Sequence, residues 1–466
     1  NRQTWNTLRT QTPERSIHKN QTKELPMRTR AFVAALAVLL PAGSGWAQGL
    51  PTATPATVGL SDTRLDRLEE VVQGYVDDQA VAGAVTLVAR RGSQAHLQTY
   101  GMADIADGTP MRADTIFRIA SMTKPVTSVA VLMLYEEGHF KLSDPVGQYL
   151  PELASLDVLT PAGNGDTFQR VPAQRPITLR HLLTHTSGIG YRFLGDLGGN
   201  AKLRHLAELY GEAGVTDGLA EHDGTIAELV TRLGDLPLLH EPGEAFSYGL
   251  SDDVLGRLVE VISGVSFDEF LRTRLFAPLG MVDTFFYVPA AKASRMASIY
   301  TPSPSGLAEV EGTVEGQHLI YSSTYPTGAP RRNFSGGAGL SSTAHDYSRF
   351  LQMLLNDGEL DGERVLSPMT VDLMRTDQIG DIPVGSVVQP GSAGFGLGVA
   401  VRGGPGVDPE LGTTGAYYWS GFFNTAFWID PTEQLIGVLM VQVFPGTSDI
   451  QERFRIMAYQ TIVDRN

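Results

Sequence analysis

Ser121-Met122-Thr123-Lys124 opens the run SMTKPVTSVAVLMLYEEG, residues 121–138, which reads as a strongly helical segment. One helical turn separates the Ser from the Lys, so both side chains project from the same face at the same end. A serine hydroxyl is a poor nucleophile at neutral pH until a neighbouring base takes its proton. A partly desolvated ammonium beside it gives up a proton more readily than one in water. The pair is sufficient chemistry for acyl transfer through a covalent serine intermediate. Spacing alone does not make a site: Ser16-Ile17-His18-Lys19 has it too, and a serine capping a solvated helix end is the plain alternative. Composition adds weight. Only six of the 36 Lys and Arg residues are Lys, at positions 19, 23, 124, 141, 202 and 292. In so arginine-biased a chain, a lysine in an apolar helix asks for a chemical reason, because arginine effectively never loses its proton.

Working outward, a length of 466 residues allows about two to three domains. A hydrophobic content of 42%, with 51 Gly and 27 Pro, fits a large, loop-rich globular protein. The net charge of −15 and the lack of a basic stripe argue against a nucleic-acid partner. Cysteine is absent, which excludes disulfides, thiolate catalysis and Cys-ligated zinc. Near the N-terminus, Met27-Arg28-Thr29-Arg30 precedes an apolar run over 31–40 and the small-x-small pattern Gly45-Trp46-Ala47. This reads as a secretory signal peptide over 27–47, with an apolar core too short to span a bilayer. Residues 1–26 precede it and are set aside as upstream sequence. Cleavage would leave a chain of net charge about −20, exported and most simply periplasmic or secreted from a bacterium, with no stable membrane span.

Beyond the leader, Ser61 begins an amphipathic helix with Leu65, Leu68, Val71, Val72 and Tyr75 at helical spacing. Residues 81–89 read as a buried strand, Arg91-Gly92-Ser93 as a turn and 95–100 as the partner strand. Residues 142–260 read as mostly helical and loop segments, and the Gly-rich stretch near 188–224 as a mobile rim over a site. After Ser335-Gly336-Gly337-Ala338-Gly339, a helix is predicted over 344–355 and strands over 395–401, 424–429 and 435–443, with Asp430-Pro431-Thr432-Glu433 as a hairpin turn. A last helix covers about 449–462. Strands near both ends around a helical middle predict one discontinuous sheet domain, 55–115 with 335–466, and a mainly helical domain over 116–334.

Two further segments carry chemistry. Phe246-Ser247-Tyr248-Gly249-Leu250-Ser251-Asp252 precedes the helical run DVLGRLVEVISG, and a tyrosine at such a junction can relay a proton if a cation holds its phenol. Alone, Tyr248 would pass for a packed aromatic. Trp419-Ser420-Gly421-Phe422 leads into the strand-like FFNTAFWID, where an edge N–H could form half an oxyanion hole; alone, Trp419 would pass for a core residue.

Taken in order, SxxK, then YxxS before DVLGRLVEVISG, then WSG before a strand, the chain resembles the serine β-lactamase and penicillin-binding-protein superfamily. LLTHTSGIG and SGGAGLSSTAHDYSRFLQMLLNDGEL add to the likeness. The nearest branch is similar to the class C β-lactamase-like carboxylesterases called family VIII, over roughly residues 55–462. The resemblance implies an α/β (α+β), β-lactamase-like fold, with a central antiparallel sheet flanked by helices and a mostly helical insert. It implies Ser121 as nucleophile, Lys124 as its activating partner and Tyr248 as base or proton relay. The oxyanion hole would be the backbone N–H groups of Ser121 and Phe422, with Trp419, Ser420 and Gly421 standing at the lactamases' K-T-G triplet and binding substrate. Whether Lys124 or Tyr248 takes the first proton is left open.

The departures from that pattern point to the substrate. Where a class C lactamase has Y-x-N, this chain has Tyr248-Gly249-Leu250, and where K-T-G offers a cation it has Trp419. Both changes remove polar recognition of an anionic β-lactam and favour a neutral small-molecule ester, with weak β-lactam hydrolysis as a side activity. The rivals are a β-lactamase, a D-amino-acid peptidase or amidase, an oligoamide hydrolase, and an inert binder of cell-wall peptides. Ser251-Asp252-Asp253 is read as the cap and first turn of the next helix, and His185 as a structural hydrogen-bonding residue. G-x-S-x-G and H-E-x-x-H are both absent. No cofactor and no metal are expected, and the oligomeric state is left open.

Overall fold

The computed structural model describes residues 49–163, 167–197, 200–328, 330–384, 392–404, 406 and 410–465. The leader over 27–47, the segment before it and the second Ser-x-x-Lys spacing at 16–19 lie outside the described residues. The eight strands of the main sheet are β1 (Gly83–Arg90), β2 (Ser93–Asp104), β3 (Thr109–Pro110), β4 (Ser392–Phe395), β5 (Ala400–Arg402), β6 (Tyr417–Ser420), β7 (Ala426–Asp430) and β8 (Leu435–Met440). They lie in the order β4-β5-β6-β7-β8-β1-β2-β3 and pair antiparallel throughout. The two ends of the chain meet where β1 pairs with β8, in a register that sets Leu87 against Val438.

The sequence explains why these two strands are central. Every residue of β1 and of β8 is buried, as expected for strands covered on both faces and written as near-continuous apolar runs. β1 turns into β2 through Arg91 and Gly92, both at positive φ (54° and 80°), the two-residue turn whose twist suits a hairpin. Five helices frame the sheet and the site: α1 (Asp62–Asp77), α2 (Thr123–Glu136), α3 (Ser251–Ser263), α4 (Ala344–Leu355) and α5 (Ile450–Gln460). α1 and α5 pack together on one face of the sheet, and α4 covers the other. Adjacent residues of β7 record this: the Trp428 ring meets Phe454 of α5 at 5.2 Å, and Phe427 meets Tyr347 of α4 at 5.4 Å. α2 is buried from Thr123 to Leu134 and packs on α3, as a helix apolar all round must.

The central antiparallel sheet flanked by helices that the sequence led us to expect is the architecture found, and two local expectations are corrected. Residues 395–401 are not one strand. The chain turns there and divides them between β4 and β5, with Gly398 at φ 82°. A Cβ on Gly398 would lie 2.0 Å from Ser128 Oγ on α2, so the turn exists to pass close over that helix. Second, the N-cap of α3 is Leu250 rather than Ser251. Ser251, Asp252 and Asp253 occupy the first turn, but their side chains are buried rather than solvated. Between the two halves of the sheet the chain also forms small antiparallel ladders that periodicity did not reveal, among them Asp157–Ala162 with Thr167–Pro172 and Tyr300–Ser303 with Gly306–Glu309. Among the described residues no helix is long and apolar enough to cross a membrane.

Gly437 of β8 sits directly opposite Trp428 of β7. A Cβ there would lie 2.1 Å from the indole, so the glycine is the space the tryptophan fills. Gly437→Ala should lower unfolding stability by roughly 1–3 kcal/mol through overpacking, measured by chemical denaturation, with little change in the KM of whatever activity survives.

Candidate active site

The backbone brings Ser121 to the surface of a buried junction. Phe117–Arg118 pairs with Ser341–Ser342, and Ile119 N–H donates to the Leu340 carbonyl at 3.0 Å. Ala120 then takes a positive φ of 42°, an uncommon conformation for a residue with a side chain. Ser121 follows in the short turn Ala120–Met122 that leads into α2. Two contacts hold that turn: the Tyr347 hydroxyl donates to the Met122 carbonyl at 2.8 Å, and Leu340 N–H donates to Thr123 Oγ1 at 3.1 Å. The segment Ser335–Ser342, noted in the sequence only as a likeness, is therefore the clamp around the start of α2.

Lys124 is fully buried. Its Nζ donates to Ser121 Oγ at 3.3 Å, to the Tyr191 hydroxyl at 2.8 Å and to the Gly337 carbonyl at 2.7 Å. The face of Tyr248 lies over the same ammonium, 4.5 Å from ring centroid to Nζ. The sequence assigned the tyrosine partner to Tyr248 alone. In the structure Tyr248 reaches Lys124 through its ring, and the hydroxyl hydrogen-bonded to Nζ belongs to Tyr191. Burial raises the Tyr191 phenol well above its ordinary value, reinforced by the neighbouring Tyr248 and by the carboxylates Asp253, Asp252 and Asp217. Tyr191 thus keeps its proton while accepting from the lysine. Nothing in the sequence marked it, since it is one aromatic in the loop after THTSGIG, brought to Lys124 only by the tertiary fold.

The 419–422 segment forms the opposite wall. Trp419 is buried, with its ring 5.5 Å from Tyr248 and 5.4 Å from Phe395. Gly421 has no room for a side chain: a Cβ would lie 2.5 Å from the Ile119 carbonyl and 2.1 Å from Thr425 Oγ1. The chain just past β6 therefore runs against the residues leading into Ser121; β6 pairs with both β5 and β7, so this is the end of an interior strand and not the edge strand expected from the sequence. Phe422 stacks on Phe444 at 3.9 Å and meets Phe193 at 5.9 Å, while Phe193 stacks on Tyr191 at 4.8 Å. A continuous run of aromatic rings thus leads from Tyr248, beside Lys124, through Tyr191, Phe193 and Phe422 to Phe444.

Beneath this wall lies an acidic floor that the sequence reading missed. Asp253 Oδ1 accepts from Ser335 Oγ at 2.6 Å. Asp252 Oδ2 is 3.1 Å from His185 Nε2, both fully buried. The His185 ring packs 4.9 Å from Tyr248, behind the aromatic wall. Desolvation lowers the His185 pKa, opposed by Asp252. Ser187 and Ser251 hydroxyls meet at 2.9 Å beside them. Among the described residues no group of three His, Cys, Asp or Glu side chains is placed to hold a metal ion.

Comparison with known proteins gives the family. The β-lactamase family model matches residues 68–461. Protein Rv1367c of Mycobacterium tuberculosis is 36% identical over 392 residues, covering 82% of this chain and 91% of that protein. Esterase EstB of Burkholderia gladioli is 32% identical over 376 residues, covering 78% and 86%. Among solved structures, EstCE1, a hydrolase with promiscuous acyltransferase activity, superposes with a TM-score of 0.72 at 27% identity, covering 86% of this chain and 99% of its own. The fold, the pairing of Ser121 with the buried Lys124 and these relatives lead to one conclusion: the chain belongs to the β-lactamase family and is a serine hydrolase.

Proposed function

We propose that this hydrolase is a carboxylesterase acting on neutral, short-chain esters through an acyl-enzyme on Ser121. The observation that carries the reading is the Lys124 ammonium, 3.3 Å from Ser121 Oγ and enclosed by Tyr191, Tyr248 and the Gly337 carbonyl. Ser121 attacks the ester carbonyl from the state in which the Lys124–tyrosine group has already given up one proton to solvent, and the serine's proton takes the place of the one lost. The tetrahedral oxyanion is held by the backbone N–H groups of Ser121 and Phe422, each such donor being worth ~10²–10³ in rate. The alcohol leaves after protonation through Tyr248, and water then repeats the sequence on the acyl-enzyme. Trp419 where a lactamase offers a cation, and Leu250 where it offers an amide, support a neutral substrate over an anionic one. The aromatic lining from Tyr248 to Phe444 supports an apolar one. EstB, an esterase, and EstCE1, a hydrolase, support hydrolysis of an ester. The leader-like segment over 27–47 supports an exported enzyme, periplasmic or secreted.

Initial rates on p-nitrophenyl butyrate, beside a chromogenic cephalosporin and a D-amino-acid amide, test the reading. The ester should be turned over at least ~10²-fold faster than the cephalosporin, and Ser121→Ala should abolish both activities. Preferred turnover of the cephalosporin or the amide would replace the esterase reading. The two tyrosines should separate in the same assay. Tyr248→Phe is expected to cost kcat about 10²-fold or more, as loss of a proton relay does. Tyr191→Phe, which removes an acceptor from a buried ammonium, should cost about 10–100-fold and leave the KM for butyrate little changed.

A further inference from the structure

Lys124 is a fully buried cation, and the hydrogen-bond acceptors around its ammonium are all neutral: a serine, a phenol and a carbonyl. A charge so placed calls for an opposite charge nearby. The carboxylate of Asp253, on the first turn of α3, stands on the far side of Gly337. Its Oδ1 is anchored by Ser335, and the backbone N–H of Gly337 faces the same carboxylate, which is fully buried. Gly337 measures the gap. A Cβ on that residue would lie 2.6 Å from Asp253 Oδ2, 2.5 Å from the Tyr191 hydroxyl and 3.5 Å from Lys124 Nζ. The carboxylate oxygen and the ammonium are therefore within about 6 Å of each other, a range in which opposite charges hold one another ionised. The Gly337 peptide lies between them, its carbonyl on the lysine.

We propose that Asp253 is the counter-ion of Lys124, acting across the Gly337 peptide and oriented by Ser335, and that it sets the charge of the proton relay beside Ser121. Asp253 is a positioning residue that does not touch the reacting atoms, and the proposal rests on the Ser121–Lys124 reading above. Burial pushes the Asp253 carboxyl up to about 6, opposed by the Ser335 hydroxyl and then by the Lys124 charge. The groups facing it are Lys124 from α2, Asp252 from its own helix, Asp217 from the loop after the helix Ala201–Glu212, and the phenols of Tyr191 and Tyr325. Lys124 is the one cation of that group, so removing the Asp253 charge is felt first at the lysine. His185 sits one step further away, beside Asp252.

The sign of the effect follows from Coulomb's law. An anion near the relay makes it hold its proton more tightly, so the basic form needed for attack develops at higher pH. Neutralising the anion lets the relay lose that proton earlier. Asp253→Asn should therefore move the acid limb of the kcat/KM profile for p-nitrophenyl butyrate to lower pH, by roughly one to two units for a partner at this distance. Ser335→Ala, which removes the donor that favours ionised Asp253, should move it the same way by less. An acid limb that coincides with wild type in Asp253→Asn, with only thermal stability reduced, would overturn the proposal. If Asp253→Asn does not fold, Ser335→Ala decides on the same criterion. Ser121→Ala is run alongside: turnover surviving in it would defeat the underlying reading and this proposal together. A dead Ser121→Ala with an unmoved limb in the other variants defeats only the counter-ion.

Discussion

The burial of one ammonium organises this molecule. An unpaired charge withdrawn from water costs several kcal/mol, and Lys124 has no exposed surface at all. Its compensation is spread over elements distant in sequence: Ser121 one turn away, Tyr191 from the loop beyond residue 188, Tyr248 before α3, and Gly337 from the segment before α4. Each contact is modest, since charge-assisted hydrogen bonds contribute about 1.5–3 kcal/mol net. Together they require four chain segments to meet at one nitrogen. Leaving out any one strands a charge in an apolar interior, which is why the clamp around α2 uses backbone close approaches at Gly337 and Gly421 in place of adjustable side chains.

The sheet supplies the rigidity that such convergence needs. β1 and β8 come from opposite ends of the chain and form its fully buried centre. Closing the sheet therefore fixes everything inserted between them. α4 ties the two levels together: Phe427 on the sheet packs on Tyr347, whose hydroxyl holds the Met122 carbonyl just after Ser121. Strain at Ala120 is tolerated because the neighbouring ladder Phe117–Arg118 with Ser341–Ser342 leaves that residue little alternative. The site is thus set by sheet, helix and ladder, with loops supplying the aromatic walls.

Much of this was legible in the residues themselves. Period and turn chemistry placed α1, the β1–β2 hairpin, α4 and the β7–β8 hairpin, because each is a local pattern of apolar spacing with a defined turn. Ser121 and Lys124 were legible because one helical turn joins them. The strand misread over 395–401 failed for a tertiary reason, since Gly398 bends to clear Ser128 on α2. Ser251, Asp252 and Asp253 read only as the cap and first turn of a helix, and packing against α2 and the 335–337 segment is what makes them a buried floor. Tyr191 was invisible for the same reason. Its role comes from a 2.8 Å contact across 67 positions of sequence, which no local spacing encodes.

The central claim is that Lys124 makes Ser121 the nucleophile of this family member. It is tested most directly by reacting the protein with a fluorophosphonate, mapping the modified peptide, and comparing the rate with that of Lys124→Ala. The account predicts a single phosphonyl adduct on Ser121 in the wild type, and labelling slowed at least ~10²-fold when the lysine is removed. An adduct on another serine, or labelling of Ser121 at the same rate without Lys124, would contradict it.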